Sequence, residues 1–417
     1  MCPNDAEIVA FAKNSGRGAV CPIAHNGEVI STRLQDTEWD FATAKTDYLT
    51  HNLHPYPAKF IPQIPNALIE ELSSSGETVA DIFCGSGTTL LEALQLKHHA
   101  IGIDANPLAV LISKAKTTPL AQSEFEELSA HRVHCQQLLV EIELNSSDLF
   151  YNGQPFQSAG WRPDPKMCQF WFKPHVVEEL AELRRLIDQV PSEAAYTLCA
   201  VVFSAIIVAV SKQDSDTRYV RREKPIKSGG AVRRYLAHLD AAISAVRELT
   251  NTLDGRSSCR VLNANILEAP ETEPFDLVIT SPPYPNAYSY HLYHRTRLLW
   301  LGYEPEQFKR IEIGSHRKYS AKGRNRATAA TFRTEFEQIF QWLRNRLRDR
   351  RHACFVIGDS TLNGARIDNT SLIAEAGATV GFREIARIQR SIAPTRKSFN
   401  PKIGKIKTEH ILILQKV

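Results

Sequence analysis

The chain has 417 residues, 43% of them hydrophobic and 23% charged, with a formal net charge of +4. That length allows two or three domains around a large core, and the charge is too mild to demand a polyanionic partner, so where the basic residues cluster matters more than their sum. The eight cysteines are scattered with no close pair, which excludes a cysteine-held zinc site, and no metal is expected. No signal peptide opens the chain, so reduced thiols and a cytoplasmic location are expected.

Residues 1–45 lack sustained periodicity and read as an extended N-terminal arm. Three prolines between His54 and Pro62 forbid a helix there, so this aromatic and histidine-rich stretch, with Lys59 and Phe60, is an ordered loop leading into a helix near Ile64 to Leu72. It is either a ligand wall or a surface loop. Next come a strand, Thr78 to Phe83, the turn Cys84-Gly85-Ser86-Gly87-Thr88-Thr89, a helical pattern, and a second strand ending in Asp104. Gly85 and Gly87 let the backbone approach a ligand, the helix N-terminus offers unpaired N–H groups, and Asp104 is spaced to accept bonds from two ribose hydroxyls. The turn lacks the three-glycine dinucleotide fingerprint and a phosphate-binding lysine, which argues against NAD and ATP and for a nucleoside ligand.

From 117 to 257 the pattern turns helical: Glu124 to Glu143, Pro174 to Val190, Ala194 to Val210 and Ala231 to Leu249. Ala194 to Ser211 carries no charge, but its alanines and hydroxyls dilute it, and a buried helix is expected rather than a membrane span. A basic stretch with Arg221 and Arg222 joins two of these helices. A second, His316 to Arg326, holds Arg317, Lys318, Lys322, Arg324 and Arg326 around Tyr319, with no acid among them. Either stretch can track a phosphate backbone or stand as a solvated face. Phe332 to Arg351 reads as a surface helix, Ala353 to Ile357 as a strand, and Phe382 to Ile392 with His410 to Leu414 as a closing antiparallel hairpin. The basic loop Pro394 to Asn400 between them is as ambiguous as the others.

The most informative stretch is Phe275 to Thr280, an apolar run of strand length that stops at Ser281-Pro282-Pro283-Tyr284. The prolines stiffen a turn at the strand's carboxyl end, where open α/β sheets bind ligands. The Ser281 hydroxyl and the Pro282 carbonyl can accept hydrogen bonds from an amino group while the Tyr284 ring stacks on a flat ligand.

Ser281-Pro282-Pro283-Tyr284 resembles the catalytic motif of the DNA amino-methyltransferases, in the serine form associated with cytosine N4. The family's cofactor loop resembles Asp81-Ile82-Phe83-Cys84-Gly85-Ser86-Gly87-Thr88-Thr89, with Ile82 where proline is common, and the His54 to Phe60 loop resembles its cofactor-wrapping segment. The resemblance covers residues 46–116 and 258–417 and leaves 117–257 as a helical insertion, a candidate target-recognition region. It implies an α/β fold, a Rossmann-like and mostly parallel sheet with a C-terminal antiparallel hairpin. It also implies S-adenosylmethionine as cofactor, held by Lys59, Phe60, Asp81, Phe83, Gly85, Gly87, Thr88, Thr89, Asp104 and Asn265. The substrate it implies is double-stranded DNA, methylated in line at the N4 of a flipped cytosine, and a companion restriction endonuclease is an expected partner. Adenine N6 or an RNA base is the nearest alternative substrate. A catalytically silent nucleic-acid-binding module and a small-molecule methyltransferase are alternatives of other classes. Cytosine C5 chemistry needs a cysteine nucleophile, typically after proline, and no Pro-Cys dipeptide occurs.

Overall fold

The computed structural model describes residues 20–22, 32–59, 61–147, 156–285, 288–320, 326–362, 364–392 and 408–417. Among these residues an eight-stranded sheet forms the frame. Its strands are β1 (Val20–Pro22), β2 (Thr78–Asp81), β3 (His99–Asp104), β4 (Cys259–Asn263), β5 (Phe275–Thr280), β6 (Leu347–Gly358), β7 (Phe382–Ser391) and β8 (Thr408–Lys416). They lie in the order β1-β7-β8-β6-β5-β2-β3-β4. Strands β4, β3, β2, β5 and β6 run parallel; β8, β7 and β1 complete the sheet in antiparallel pairings. The expected α/β architecture is therefore present: a mostly parallel sheet with an antiparallel hairpin from the C-terminal part of the chain.

Position in the sheet explains the sequence. β5 has a neighbour on each side, and all six of its residues are buried, as its mostly apolar run requires. The register sets Asp81 beside Gly102 and Asp104 beside Asn263, so the carboxyl ends of β2, β3 and β4 open on one edge.

Four long helices fill 117–257: Gln122–Ser147, Pro174–Ile187, Glu193–Val210 and Gly230–Thr252. Glu193–Val210 has the length and apolarity to cross a membrane, but 78% of it is buried inside the fold. Its hydrophobic cluster includes Leu108, Ile112 and Ala115 from the helix after β3, and Leu298, Trp300 and Phe308 from the segment after β5. The helical block thus shares a core with the helix after β3 and the segment after β5, while the apolar residues of the strands form two further clusters.

Several local expectations change. The helix read over Phe332 to Arg351 is Ala329–Arg346, and β6 begins at Leu347 rather than at Ala353. The arginine-rich stretch favours a helix locally, but pairing with β5 and β8 overrides that weak preference. Arg348 and Arg351 reach Asp276, and Arg351 also reaches Glu77. In the N-terminal arm, Leu34 and Trp39 are buried in the core beside Ile64 and Leu68. Part of the first basic stretch, Arg218–Arg221, is a strand paired with Gln213–Ser215, and His316–Ser320 in the second is a short helix.

Candidate active site

The carboxyl ends of β2, β3, β4 and β5 surround a cavity of about 760 Å³, a usual size for a cofactor or substrate pocket. Ser281, Pro282, Pro283 and Tyr284 line it, and so do Lys59, Phe83, Gly85, Thr88, Asp104 and Asn265. Residues distant in the sequence, and assigned to two different tasks, therefore face one space.

Asp104 sits at the end of β3. Its Oδ2 accepts from the Gly85 N–H at 2.9 Å and its Oδ1 from the Asn106 N–H at 2.8 Å. Each carboxylate oxygen has a further lone pair, and burial pushes this carboxyl up to about 6 against the two backbone bonds. Gly85 adopts φ +50°, a backbone region that L side chains rarely enter, which keeps this stretch of the wall bare.

Asp81, Gly87 and Thr89, grouped with the cofactor contacts in the sequence reading, do not line the cavity; they hold its floor in shape. Asp81 is buried, with Oδ1 accepting from Thr280 Oγ1 at 2.6 Å and Oδ2 from Thr89 Oγ1 at 2.7 Å. The Phe83 N–H adds a third bond at 3.1 Å. One carboxylate therefore ties the end of β2 to the end of β5 and to the following helix, and burial raises it to about 6 as well. Gly87 takes φ +74°, and a Cβ there would come within 2.9 Å of Ser113 Oγ.

Asn265 lines the cavity, but its Oδ1 caps the short helix Ile266–Glu268 through the Leu267 N–H, and its Nδ2 donates to Glu268. Lys59 donates to the His51 carbonyl at 3.2 Å, and burial lowers its pKa. Phe60, Lys322, Arg324 and the loop Pro394 to Asn400 lie outside the described residues, as does the side chain of Arg317.

The proline turn is braced from three directions that the sequence reading missed. Tyr284 donates its hydroxyl to Glu409 Oε1 at 3.0 Å, and Arg390 holds Glu409 Oε2 at 2.7 Å. Arg390 and Glu409 are a cross-strand pair of β7 and β8, visible only once the register is known. Burial first, and Glu409 second, raise the pKa of Tyr284 well above the ordinary tyrosine value, so its hydroxyl stays a donor. Gly314 at φ +74° packs under the turn; a Cβ there would lie 2.8 Å from the Tyr284 carbonyl oxygen and 3.0 Å from Pro283 Cβ. Glu312 accepts from the Tyr290 N–H and meets His291 Nδ1, both at 2.5 Å, fixing the segment after the turn. Tyr56, from the proline-rich loop, stacks against Tyr290 and His294 at 5.7 and 5.1 Å and lines the cavity with Tyr290.

Residues 25–115 match a family model described as DNA methylase. The Type II methyltransferase M.MvaI of Kocuria varians is 27% identical over 296 residues, 66% of this chain and 63% of that protein. Over these residues the chain is similar to DNA methylases.

M.BsoBI of Geobacillus stearothermophilus, also a Type II methyltransferase, is 24% identical over 294 residues, 63% of this chain and 54% of its own. M.MjaII of Methanocaldococcus jannaschii is 35% identical over 85 residues, 19% of this chain and 16% of its own. The matches span less than two thirds of the length of each of these relatives.

Of the basic residues picked from the sequence, Lys318 pairs with Glu335 and Arg326 holds the Tyr319 carbonyl. Arg221 and Arg222 remain at the surface, paired with Glu223 and Asp214.

Proposed function

We propose that the protein is a DNA methyltransferase that places a methyl group on the exocyclic N4 of cytosine, with S-adenosylmethionine as donor. The observation that carries the reading is that the Ser281 turn opens into the same cavity as Gly85 and Asp104. The names of the relatives support methyl transfer, and the serine that begins the proline motif supports cytosine over adenine.

The cavity suits this donor. Asp104 presents buried acceptor capacity to a ribose diol, Gly85 leaves room for close approach, and Phe83 and Asn265 border the space for a purine. Lys59 and the Tyr56 loop would border the amino-acid end. When bound, S-adenosylmethionine supplies a methyl group made electrophilic by its sulfonium.

The remaining chemistry belongs to the chain. A cytosine amino group is a poor nucleophile because its lone pair is conjugated into the ring. Ser281 Oγ and the Pro282 carbonyl accept its N–H bonds, turn them out of the ring plane and localise the lone pair. This is catalysis by orientation and electrostatics. Pro283 has no N–H, so the turn offers acceptors without a competing donor. The base leaves the duplex to reach this depth, and the Tyr284 ring, held by Glu409 and Arg390, replaces part of the lost stacking.

Incubation with unmethylated duplex DNA and labelled S-adenosylmethionine, then digestion to nucleosides and mass identification, tests the reading. N4-methylcytosine is expected. N6-methyladenine would move the target base, and label only in an RNA control would move the polymer. No labelled nucleoside despite cofactor binding would overturn the proposal.

Gly314→Ala offers a second test. Left-handed strain of about 1–3 kcal/mol and a Cβ pressed against the proline turn should displace Ser281 by a few tenths of an ångström. Turnover is expected to fall about tenfold, with cofactor affinity measured by calorimetry unchanged.

A further inference from the structure

The helical block carries a surface feature that the cavity does not use. Gln213–Ser215 and Arg218–Arg221 form a small antiparallel hairpin, registered Gln213 to Arg221 and Ser215 to Arg218. Strand alternation puts Arg218 and Val220 on one face, and Arg222 follows at the same spacing. Val220 is 55% exposed, and the side chains of Arg218 and Arg222 are 60% and 74% exposed. On the opposite face Tyr219 packs on Trp171 at 4.6 Å, and Arg221 lies over the half-exposed ring of Phe170 at 5.2 Å.

The hairpin is rigidly fixed to the site. Fully buried Gln213 donates to the Tyr293 carbonyl at 3.1 Å and accepts from Thr296 at 3.0 Å. Asp216 pairs with the buried guanidinium of Arg297, which also donates to the Ser204 carbonyl at 2.9 Å. Tyr293 in turn meets Tyr288 at 6.0 Å, and Tyr288 borders the cavity. Buried polar bonds thus tie the base of the exposed hairpin to the Tyr293 segment, and one edge-on ring contact carries the connection to the cavity rim.

Resting on the methyltransferase reading, we propose that this hairpin is the element that reads the target sequence, entering the major groove of duplex DNA. Two-stranded ribbons fit that groove. Val220 would meet base edges, where an aliphatic side chain favours the thymine methyl, while Arg218 and Arg222 take flanking phosphates. Both arginines now pair with Asp214, at 3.3 and 3.4 Å. The arginine ends of both pairs are exposed while the one acid they share is largely covered, so each cation keeps donors free for a phosphate. The exposed apolar residue between two arginines fits a polyanion with apolar base edges and has no partner in the described fold.

The test uses wild type, Val220→Ala and the double variant Arg218→Gln/Arg222→Gln on a randomised duplex pool, with methylated positions mapped by sequencing and binding measured across salt concentrations. The double variant is expected to flatten the logarithmic salt dependence by about two, since each phosphate left without its arginine removes roughly 0.9 from the slope. Val220→Ala is expected to relax preference at one base pair by about tenfold. S-adenosylmethionine affinity should not change in either. If wild type methylates DNA while both variants keep its salt slope and its sites, the hairpin reading is overturned and the methyltransferase reading stands. A wild type that neither binds nor methylates duplex DNA overturns both.

Discussion

Ser281→Ala is expected to lower turnover by about 10²- to 10³-fold, the loss seen when one preorganised polar group is removed from a reacting centre. The substitution deletes one of two acceptors for the target amino group and leaves the Pro282 carbonyl. The turn should keep most of its shape, because Tyr284 is anchored to Glu409 and Arg390 in addition to the bond that the Ser281 side chain makes with it. Affinity for S-adenosylmethionine should stay unchanged, since the diol acceptor and the glycine wall lie on other strands. Single-turnover methylation at saturating cofactor separates the chemical step from binding. An unchanged rate would remove Ser281 from the mechanism, whereas an equal loss of cofactor affinity would point to a collapsed pocket.

Asp104→Ala is expected to act on the opposite parameter, weakening S-adenosylmethionine on the order of 10- to 100-fold, as loss of a charge-assisted hydrogen bond worth about 1.5–3 kcal/mol implies. The Gly85 and Asn106 N–H groups also lose their acceptor, so part of the effect is a loosened wall. The pH dependence gives an independent reading. In the free protein burial raises Asp104 to about 6, so affinity should fall as pH drops through 6 and the carboxylate protonates. The contribution of the two buried carboxyls to stability runs the other way. With Asp81 and Asp104 both raised above 3.8 to about 6, the folded chain binds protons that the unfolded chain has released. Their contribution to stability is present below about pH 4 and is lost as pH rises through 6. Net ligand-free stability also carries the buried histidines His51, His54, His131 and His294, whose pKa burial lowers below the ordinary histidine value and which oppose this trend on acidification. Cofactor affinity is therefore the readout: calorimetry over pH 5–8 should show it falling as pH drops through 6, and a binding profile flat through pH 6 would remove Asp104 from the diol.

What was legible in the sequence is what local chemistry encodes. An apolar run ended by two prolines, a glycine turn entered from a strand, and an acid at the end of the next strand each need only neighbours in the chain to be read. What was hidden depends on tertiary register. Arg390 and Glu409 are ordinary charged residues until β7 and β8 align them, and only then does Tyr284 gain its anchor. Glu312 and Gly314 belong to no motif, and their work becomes visible only where their segment passes beneath the proline turn. Asp81, Gly87 and Thr89 stand beside the cavity rather than in its lining, because spacing gives a residue's neighbourhood and not the direction its side chain takes. The arginine-rich start of β6 was misread for the same reason: helix preference is local, while strand pairing is supplied by segments far along the chain.

The core that the helical block shares with the helix after β3 bears on how a protein of the proposed function could change its target. Leu108, Ile112 and Ala115 lie in one apolar cluster with Val201, Phe203 and Leu239, so no seam separates scaffold from insertion. A chimera that transplanted residues 117–257 from a relative would have to rebuild that shared packing side chain by side chain, and a mismatch of a few methylenes costs kilocalories. New specificity would more readily arise by drift at exposed positions such as Val220 and Arg222, which can vary without disturbing the interior.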